Sequence, residues 1–359
     1  MLKKAFSLFL FLGISYCSFG QLPAGLSISG YTDAYLAYYT DSVGSGNYQK
    51  FPTYAPRSNS IGLNIAQLSL NYKKANVRAL VTLHAGDIPN VAWSSKYQMI
   101  QEANAGVQLH KKIWLDAGFF RTHIGAEGLY PKENITSSLA VTTLYEPYYQ
   151  AGFKLSYQIT SKLEGRLYLL NGFNLLEDNN KKKSVGMLFT YVFNDACNVV
   201  YANYLGDDTP DSMNVAHTRF FNNLVLYYDK GKYRLTVGID FIRQEHASFL
   251  TNAHAGTGYG ALIAGRYTIK PKWNIYTRAE AFNDKDGFLA GPILNINGAL
   301  TQTHIMGGTV GLEYKPRETA FVRLEGRVLK SYNDVKPFYW DSEYRDRRYE
   351  AIFSLGVWF

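Results

Sequence analysis

The chain has 359 residues, of which 47% are hydrophobic and 15% aromatic, and its formal net charge is +8 at pH 7. The positive charges are spread along the chain as single residues rather than blocks, which argues against nucleic-acid binding. The cysteines are Cys17 and Cys197. Because we expect Cys17 to be removed with a leader segment, an internal disulfide framework is excluded.

Residues 1–20 have the pattern of a secretory signal peptide. Two lysines precede the apolar run 5–14, and Ser18 and Gly20 supply small residues at the positions that a signal peptidase reads. The apolar run is shorter than the ~20 residues that a transmembrane helix needs. We therefore predict cleavage before Gln21.

A lipoprotein signal ending at Cys17 is the alternative for this leader, and Tyr16 disfavours it because a small residue normally precedes the lipidated cysteine. No later run is long and apolar enough for a membrane-spanning helix. If residues 21–359 lie in a membrane, they must form a closed β-barrel, because only a closed barrel satisfies the backbone of strands in lipid.

Segments in which apolar residues alternate with polar ones recur along residues 21–359, and this period of two is typical of strands with one apolar face. A clear example is 232–241, where Tyr233, Leu235 and Val237 alternate with Arg234 and Thr236. Sixteen such strands are predicted, near 26–39, 61–73, 76–87, 99–110, 112–121, 148–159, 162–172, 184–193, 197–205, 217–228, 232–243, 258–269, 272–282, 304–314, 319–331 and 348–359.

The connections between these segments alternate between short and long. The short ones are rich in Lys, Asn, Asp, Gly and Pro, as tight hairpin turns require. The pattern predicts an all-β fold, a single antiparallel transmembrane barrel of about 16 strands with short periplasmic turns and long extracellular loops. Counts of 14 to 18 strands are compatible with the pattern. A soluble sandwich also alternates, but it does not require this asymmetry between turns and loops.

A barrel of this size encloses a water-filled lumen rather than an interior filled by packed side chains. The inferred inward faces carry charges that would be costly in lipid. We predict that the lumen is lined by Arg78, Arg166, Arg234, Arg278, Glu280, Arg323, Glu325 and Arg327. Opposite charges two residues apart on one face can pair along the wall, as in Glu164/Arg166, Arg278/Glu280 and Arg323/Glu325. The alternative for each residue is that it merely solvates or braces the wall.

The longest connection is 122–147, and a loop of this length in a compact barrel is seldom without a role. Its position after the fifth strand makes it the candidate for a constriction inside the barrel. The charged residues at such a constriction would be Arg121, His123, Glu127, Lys132 and Glu133. The alternative, weighed equally, is that the loop covers the extracellular mouth.

Several stretches around this loop resemble a known family. They are EANAGVQLHKKIWLDAG at 102–118 with the following FFRTHIGAEG, EPYYQAGFKLSY at 146–157, LYLLNGF at 167–173 and GYTDAYLAYY at 30–39. These sequences are similar to the OmpL-like β-barrel porins. The resemblance covers most of residues 21–359 and implies an outer-membrane barrel that acts as a channel. Family members often have proline near the start of the long loop, where this chain has Arg121, so the charge of its pore would differ.

Some outer-membrane barrels are enzymes, and two sequence features could suggest one. His246 and Ser248 have the spacing of a phospholipase pair, but Gly258 stands where the orienting Asn would be expected, although Asn252 is near. The acidic pair Asp207-Asp208 is better explained as a loop turn. His246 and His254 could share a metal ion, although no carboxylate or cysteine cluster accompanies them. We therefore expect no catalytic site, no metal and no cofactor.

The last strand ends the chain on Phe359, and a terminal phenylalanine resembles the assembly signal of outer-membrane barrels. The expected partners are therefore outer-membrane lipid and the barrel-assembly machinery. A homo-oligomer is compatible with the sequence, which shows no specific surface for one.

The sequence favours a porin in the outer membrane of a Gram-negative bacterium, through which small hydrophilic solutes diffuse past a constriction formed by loop 122–147. The excess of arginine on inward faces predicts a weak preference for anions. The alternative is a barrel without a channel, whose loops serve adhesion, receptor binding or envelope assembly.

Overall fold

The computed structural model describes residues 22–41, 46–51, 54–213, 215–248, 254–291, 293–294 and 297–359. The predicted signal peptide, residues 1–20, lies outside the described residues. Sixteen antiparallel strands form one closed barrel, in which each strand pairs with its neighbours in the chain and the last pairs with the first. The predicted fold class and strand number are confirmed.

Each predicted strand begins and ends within two residues of an observed one. The barrel strands are β1 (Leu26–Tyr39), β2 (Ser60–Lys74), β3 (Val77–Ala85), β4 (Ile100–His110), β5 (Ile113–Arg121), β6 (Tyr149–Gln158), β7 (Leu163–Leu170), β8 (Ser184–Asn194), β9 (Cys197–Asp207), β10 (Thr218–Lys230), β11 (Tyr233–Gln244), β12 (Gly256–Lys270), β13 (Trp273–Asp284), β14 (Thr303–Tyr314), β15 (Ala320–Ser331) and β16 (Arg347–Trp358).

Short turns and long loops alternate around the barrel, as the spacing predicts. The structure adds short elements inside the loops that the sequence analysis missed. These are α1 (Asp87–Ala92), the 3₁₀ turns Ser95–Tyr97, Pro131–Glu133 and Thr142–Tyr145, and the two small hairpins Ile293–Leu294 with Leu300–Thr301 and Phe338–Trp340 with Glu343–Arg345. Among the described residues, no helix is long and apolar enough to cross a membrane.

The barrel closes between β1 and β16 in a continuous register from Tyr31 opposite Trp358 to Tyr39 opposite Glu350. Phe359 extends this pairing, because its backbone N–H donates to the carbonyl of Gly30 and its carbonyl accepts from the N–H of Gly30, both at 3.1 Å. Every strand of the barrel therefore has two hydrogen-bonded neighbours, which removes the exposed edge that would favour aggregation.

Burial follows the period of two along the wall. In β16 the side chains of Tyr349, Phe353 and Leu355 face outward and are exposed, whereas Arg348 and Glu350 face inward and are buried. The outer surface is consequently apolar and suits lipid, while the interior carries the charges. The alternation in the sequence thus fixed which side of each strand is polar.

The long loop between β5 and β6, residues 122–148, packs against inward-facing residues from much of the wall. Leu129 and Leu139 belong to an apolar cluster with Tyr31 and Phe321, at the seam of the barrel. Further loop residues join three more clusters: Ile124 with Tyr168 and Phe221, Ile135 with Val225 and Leu262, and Val141 with Phe282 and Ile305. The loop therefore lies inside the barrel, and we call it the inward loop.

Candidate functional site inside the barrel

The inward loop is anchored first by Arg278 of β13, whose side chain is buried. Its Nη1 donates to Glu127 Oε1 at 2.8 Å and to the carbonyl of Ser138 at 2.6 Å, and its Nη2 donates to Ser138 Oγ at 2.9 Å. A guanidinium presents five donors in a fixed plane, so one arginine can hold two turns of a loop at once. Arg278 thereby fixes the middle of the inward loop to the wall.

A second anchor is formed by Arg323 and Glu325 of β15. Arg323 donates to the backbone carbonyls of Pro131, Asn134 and Thr136 at 2.9 to 3.0 Å. Glu325 accepts from the backbone N–H groups of Ser137 and Ser138 at 2.6 and 3.0 Å. These side chains take the place of water for the loop backbone, whose buried polar groups need partners.

Arg327 and Glu280 continue this network toward the long-loop end of the barrel. Arg327 Nη2 lies 2.8 Å from Glu280 Oε1, and Glu280 also accepts the backbone N–H of Val141 at 2.7 Å. Arg327 further contacts Glu350 at 3.4 Å, and Glu350 pairs with Arg348 at 2.6 Å. These five inward-facing charges, Arg278, Glu280, Arg327, Arg348 and Glu350, are therefore matched by opposite charges and are buried.

Two of the three predicted wall pairs form. Glu164 lies 2.6 Å from Arg166, and Arg278 lies 3.1 Å from Glu280. Arg323 pairs instead with Glu313 of β14 at 2.7 Å, because Glu325 is taken by the loop backbone. The alternation predicted that all of these residues face inward, but it could not predict which oppositely charged residue each would pair with.

Arg121, at the end of β5, forms an ion pair of 2.6 Å with Glu133 in the middle of the inward loop. The guanidinium of Arg121 also lies over the ring of Tyr130, 4.7 Å from its centroid. Arg234 of β11 donates to the carbonyl of Glu133 at 2.8 Å. The three predicted residues Arg121, Glu133 and Arg234 thus meet around one segment of the loop.

Lys132 extends from this segment into a set of three aromatic rings. Its ammonium lies 4.9 Å from the centroid of Tyr31, 5.4 Å from that of Tyr130 and 5.6 Å from that of Trp358. Partial burial lowers the pKa of Lys132. Since Trp358 ends the last strand, these contacts place the tip of the inward loop near the short-turn end of the barrel.

His123 fastens the start of the loop to the wall at β8 and β9. Its ring stacks on Tyr168 with 4.1 Å between centroids, and its Nε2 lies 2.8 Å from the carbonyl of Asn203. The ring occupies the space where a Cβ at Gly186 would stand, 2.7 Å from that position. Burial lowers the pKa of His123, while Nδ1 lies 2.7 Å from Gln150 Oε1 and Nε2 faces the carbonyl of Asn203, which only accepts.

Open space remains between the loop and the wall formed by β4 to β10. A cavity of about 410 Å³ lies there, and among the residues that line it are Glu102, Arg121, His123, Lys154, Arg166 and Tyr227. A second cavity of about 330 Å³ lies toward the short turns and is lined by Arg78, Lys111, Lys112, Lys154, Glu164 and Arg166, among others. Lys154 and Arg166 border both cavities, so the two adjoin.

The charge of this space is mainly positive. Glu127 is paired with Arg278, and burial first, then the charge of Asp240, raises the pKa of Glu146 well above its usual range. Arg78 is held by Asp116 through two contacts of 2.6 and 2.5 Å and lies over Trp114. Lys154 and Arg166 remain partly exposed. The sequence analysis missed Lys154, although its place in the alternation of β6 marks it as inward.

A family model described as "Putative beta-barrel porin-2, OmpL-like" matches residues 25–359, nearly all of the chain. The chain belongs to this porin family. The predicted resemblance is confirmed, and with it the location in the outer membrane of a Gram-negative bacterium. A search among curated protein sequences gives no match.

Solved structures of outer-membrane proteins share the fold of this porin. The outer membrane channel DcaP of Acinetobacter baumannii superposes with a TM-score of 0.63 at 8% identity, covering 92% of this chain and 97% of that one. An anion-selective porin from Comamonas acidovorans gives 0.63 at 7% identity, with 93% and 99% covered. Salmonella typhi OmpF in complex with daunomycin gives 0.62 at 13% identity, with 93% and 97% covered.

The family and the fold are those of a channel rather than an enzyme. The residues of the hypothetical phospholipase pair have other contacts, since Ser248 Oγ donates to Asp286 at 3.2 Å and His246 Nδ1 lies 3.0 Å from the carbonyl of Ala216. Asn252, the residue weighed as a third member, lies outside the described residues.

Proposed function

We propose that this porin is a passive diffusion channel for small hydrophilic solutes, with its constriction between the inward loop and the wall of β3 to β9. The observation that carries the proposal is the asymmetry of the interior. Buried ion pairs hold the loop against β13 to β16, whereas the adjoining cavities lie on the other side, around Lys154 and Arg166. Solutes would pass through that side.

The proposed selectivity is a preference for anions. Arg278, Arg323, Arg327 and Arg348 are paired and buried, so they contribute little field to the passage. The passage is bordered by Arg78, Arg121, Lys154 and Arg166, and the acids that line it are Glu102, Glu127, Glu146 and Glu164. Fixed cations in a narrow aqueous passage raise the local concentration of anions.

Planar-bilayer recording of the purified barrel tests the proposal. Steady openings in symmetric salt are expected, with a reversal potential of the sign that anion movement produces in a salt gradient. A folded barrel that never conducts contradicts the channel, and a cation-selective reversal potential contradicts the role given to Lys154 and Arg166.

A barrel without conduction remains the second candidate, and the extent of loop packing favours it. The inward loop takes part in four apolar clusters, and a cavity of only about 170 Å³ lies between it and β10 to β12. In that case the exposed loops would carry the function, as adhesion, receptor or envelope-assembly surfaces. A normally folded barrel that shows no conductance in the bilayer experiment would favour this candidate.

Assembly of the barrel is proposed to use Phe359 as its recognition signal. The side chain follows the alternating outward face of β16 and is 75% exposed, while its backbone pairs with Gly30. The ring is therefore accessible to lipid or to assembly machinery from outside the barrel. Comparing the amount of folded Phe359→Ala and wild-type protein in outer membranes tests this role.

A further inference from the structure

Two histidines from different long loops meet at the rim of the barrel. The pairing of β10 with β11 ends with Arg219 opposite Gln244. A hydrogen bond of 3.0 Å from the backbone N–H of Glu245 to the carbonyl of Thr218 extends the pairing by one residue. His217 and His246 follow, with ring centroids 6.3 Å apart and ring planes at 87°. Residues opposite one another in an antiparallel pair point to the same face of the sheet.

That face is the inner one. Arg219 and Gln244, two residues from the histidines on each strand, lie on it and are joined by a hydrogen bond of 2.7 Å between Arg219 Nε and Gln244 Oε1. The period of two therefore places His217 above the inner wall of the barrel, and the contact between the two rings places His246 beside it. Neither ring belongs to the contacts of the inward loop described above.

The two rings are oriented by reciprocal hydrogen bonds. His217 Nδ1 lies 3.2 Å from the carbonyl of Glu245, the residue before His246. His246 Nδ1 lies 3.0 Å from the carbonyl of Ala216, the residue before His217. A carbonyl oxygen only accepts, so Nδ1 carries the proton in both rings, and in the neutral form each Nε2 keeps a lone pair.

This is the arrangement that histidine ligands of metals use. A second hydrogen bond from the other ring nitrogen to a carbonyl fixes the tautomer and aims the free nitrogen at the ion. His246 also has a φ of 50°, in a backbone region that residues other than glycine occupy rarely and that recurs at functional positions. The strain fixes the ring position at the point where the chain turns away from the strand.

We propose that His217 and His246 bind one divalent transition-metal ion, such as Ni²⁺, Cu²⁺ or Zn²⁺, through their Nε2 atoms. With metal–nitrogen bonds of about 2.1 Å and about 1.1 Å from nitrogen to ring centre, two ligands of one ion have centroids at most about 6.4 Å apart. The observed 6.3 Å lies within this limit. At this separation the nitrogen–metal–nitrogen angle is about 160°, and a tetrahedral angle would require the two ring centres to move about 1 Å closer when the ion binds.

Water molecules would complete the coordination. Among the described residues, no group of three or more His, Cys, Asp or Glu side chains is placed to hold a metal ion. Asp207 accepts the backbone N–H of His217 at 3.1 Å and pairs with Lys182 at 2.6 Å, so its carboxylate is already engaged beside the site. Imidazole ligands favour Cu²⁺, Ni²⁺ and Zn²⁺ over the alkaline-earth ions, which prefer oxygen. The site does not depend on whether the barrel conducts.

Titration calorimetry with Ni²⁺ on the folded, chelator-treated barrel tests the site. One ion per barrel is expected to bind with a micromolar dissociation constant. His217→Gln and His246→Gln keep an amide that can donate to the facing carbonyl but remove the imidazole, so each should weaken binding roughly tenfold or more. His110→Gln, at an exposed histidine of the opposite end, is the matched control and should bind as the wild type does.

Unchanged Ni²⁺ binding in either Gln variant, or an equal loss in His110→Gln, would overturn the proposal, as would a wild-type barrel that binds no ion. Electron paramagnetic resonance of Cu²⁺ on the wild-type barrel provides a readout that needs no variant. Superhyperfine splitting from two imidazole nitrogens is expected. A spectrum with one nitrogen or none would contradict the pair.

Discussion

Arg278 of β13 and Glu127 of the inward loop form an ion pair of 2.8 Å in which solvent reaches 0% of the arginine and 5% of the glutamate side chain. The two residues are 151 positions apart in the chain. Two charges withdrawn from water attract strongly, but each also loses its hydration, so such a pair adds little net stability while the loss of one partner is costly. The pair therefore fixes the position of the loop more than it raises the stability of the barrel.

Arg278→Met should release the inward loop. The substitution leaves the carboxylate of Glu127 buried without its partner, which costs about 3–5 kcal/mol, and removes the bonds to Ser138. The midpoint of thermal unfolding should fall, and single-channel conductance should become larger and noisier as the loop moves. Arg317→Met, at an exposed turn residue, is the control. Equal behaviour of the two variants would contradict the anchoring role of Arg278.

Lys154→Glu combined with Arg166→Glu should shift ion selectivity toward cations. Both side chains border the two adjoining cavities, so the change reverses the fixed charge where the passage is proposed to be narrowest. The reversal potential in a salt gradient measures the effect. The control Lys285→Glu reverses one charge at an exposed loop residue away from the cavities. It should leave the sign of the reversal potential unchanged. A double variant that remains anion-selective would place the selective charges elsewhere.

Gly118→Ala should destabilise the barrel. Gly118 of β5 has a φ of 131°, and a Cβ there would stand 2.2 Å from the backbone carbonyl of Ala103, which cannot move aside as a flexible side chain could. We expect a loss of about 2–3 kcal/mol, measured by thermal unfolding in detergent. Gly326→Ala is a matched control, since its Cβ would meet its nearest neighbour at 4.0 Å. A similar midpoint for both variants would show that β4 and β5 can separate.

Docking of the inward loop should weaken at high pH because of Glu146. Burial first, then the charges of Asp240 and Glu127, raise the pKa of Glu146. The folded state then binds more protons than the unfolded one between the ordinary glutamate pKa of about 4.3 and the raised value. Stability contributed by the protonated carboxyl is present below that window and is lost as the pH rises through it. Tyr148 and Tyr227 also lie close enough to interact electrostatically with Glu146 and Glu127.

Glu146→Gln keeps a neutral side chain of the same shape and should remove this pH dependence. The unfolding midpoint of the wild type should fall between pH 5 and pH 9 by more than that of the variant. Glu318→Gln, whose side chain is almost fully exposed, is the control and should follow the wild type. If the variant and the wild type fall in parallel, another group carries the effect.

The strands could be predicted from the sequence because their signal is local. Alternation decides which side chains of a strand face lipid, and the turn residues decide where each strand ends. For this reason each predicted strand begins and ends within two residues of the observed one. The small hairpins near Ile293 and Phe338 lack this signal, since two or three paired residues do not establish a period.

The contacts of the interior could not be predicted in the same way. Alternation shows that Arg323 faces inward, but its choice of Glu313 over Glu325 depends on a loop that lies almost 190 residues earlier in the chain. His123 fits against the wall because Gly186 leaves room for it, and this relation joins two residues with no shared pattern. Such choices follow from the three-dimensional path of the inward loop, which the order of residues in a strand does not encode.

The anchors of the inward loop also constrain the order in which the molecule can be built. Its partners include Arg278 and Ser354, and the bond from Ser137 to Ser354 joins residues 217 positions apart. The loop is synthesised before these partners. Its binding site on the wall is therefore complete only when the last strands have paired. The inward loop can therefore make all of its contacts only after this pairing. A chain that ends before β16 would lack Ser354 and therefore one of the side chains that hold the inward loop.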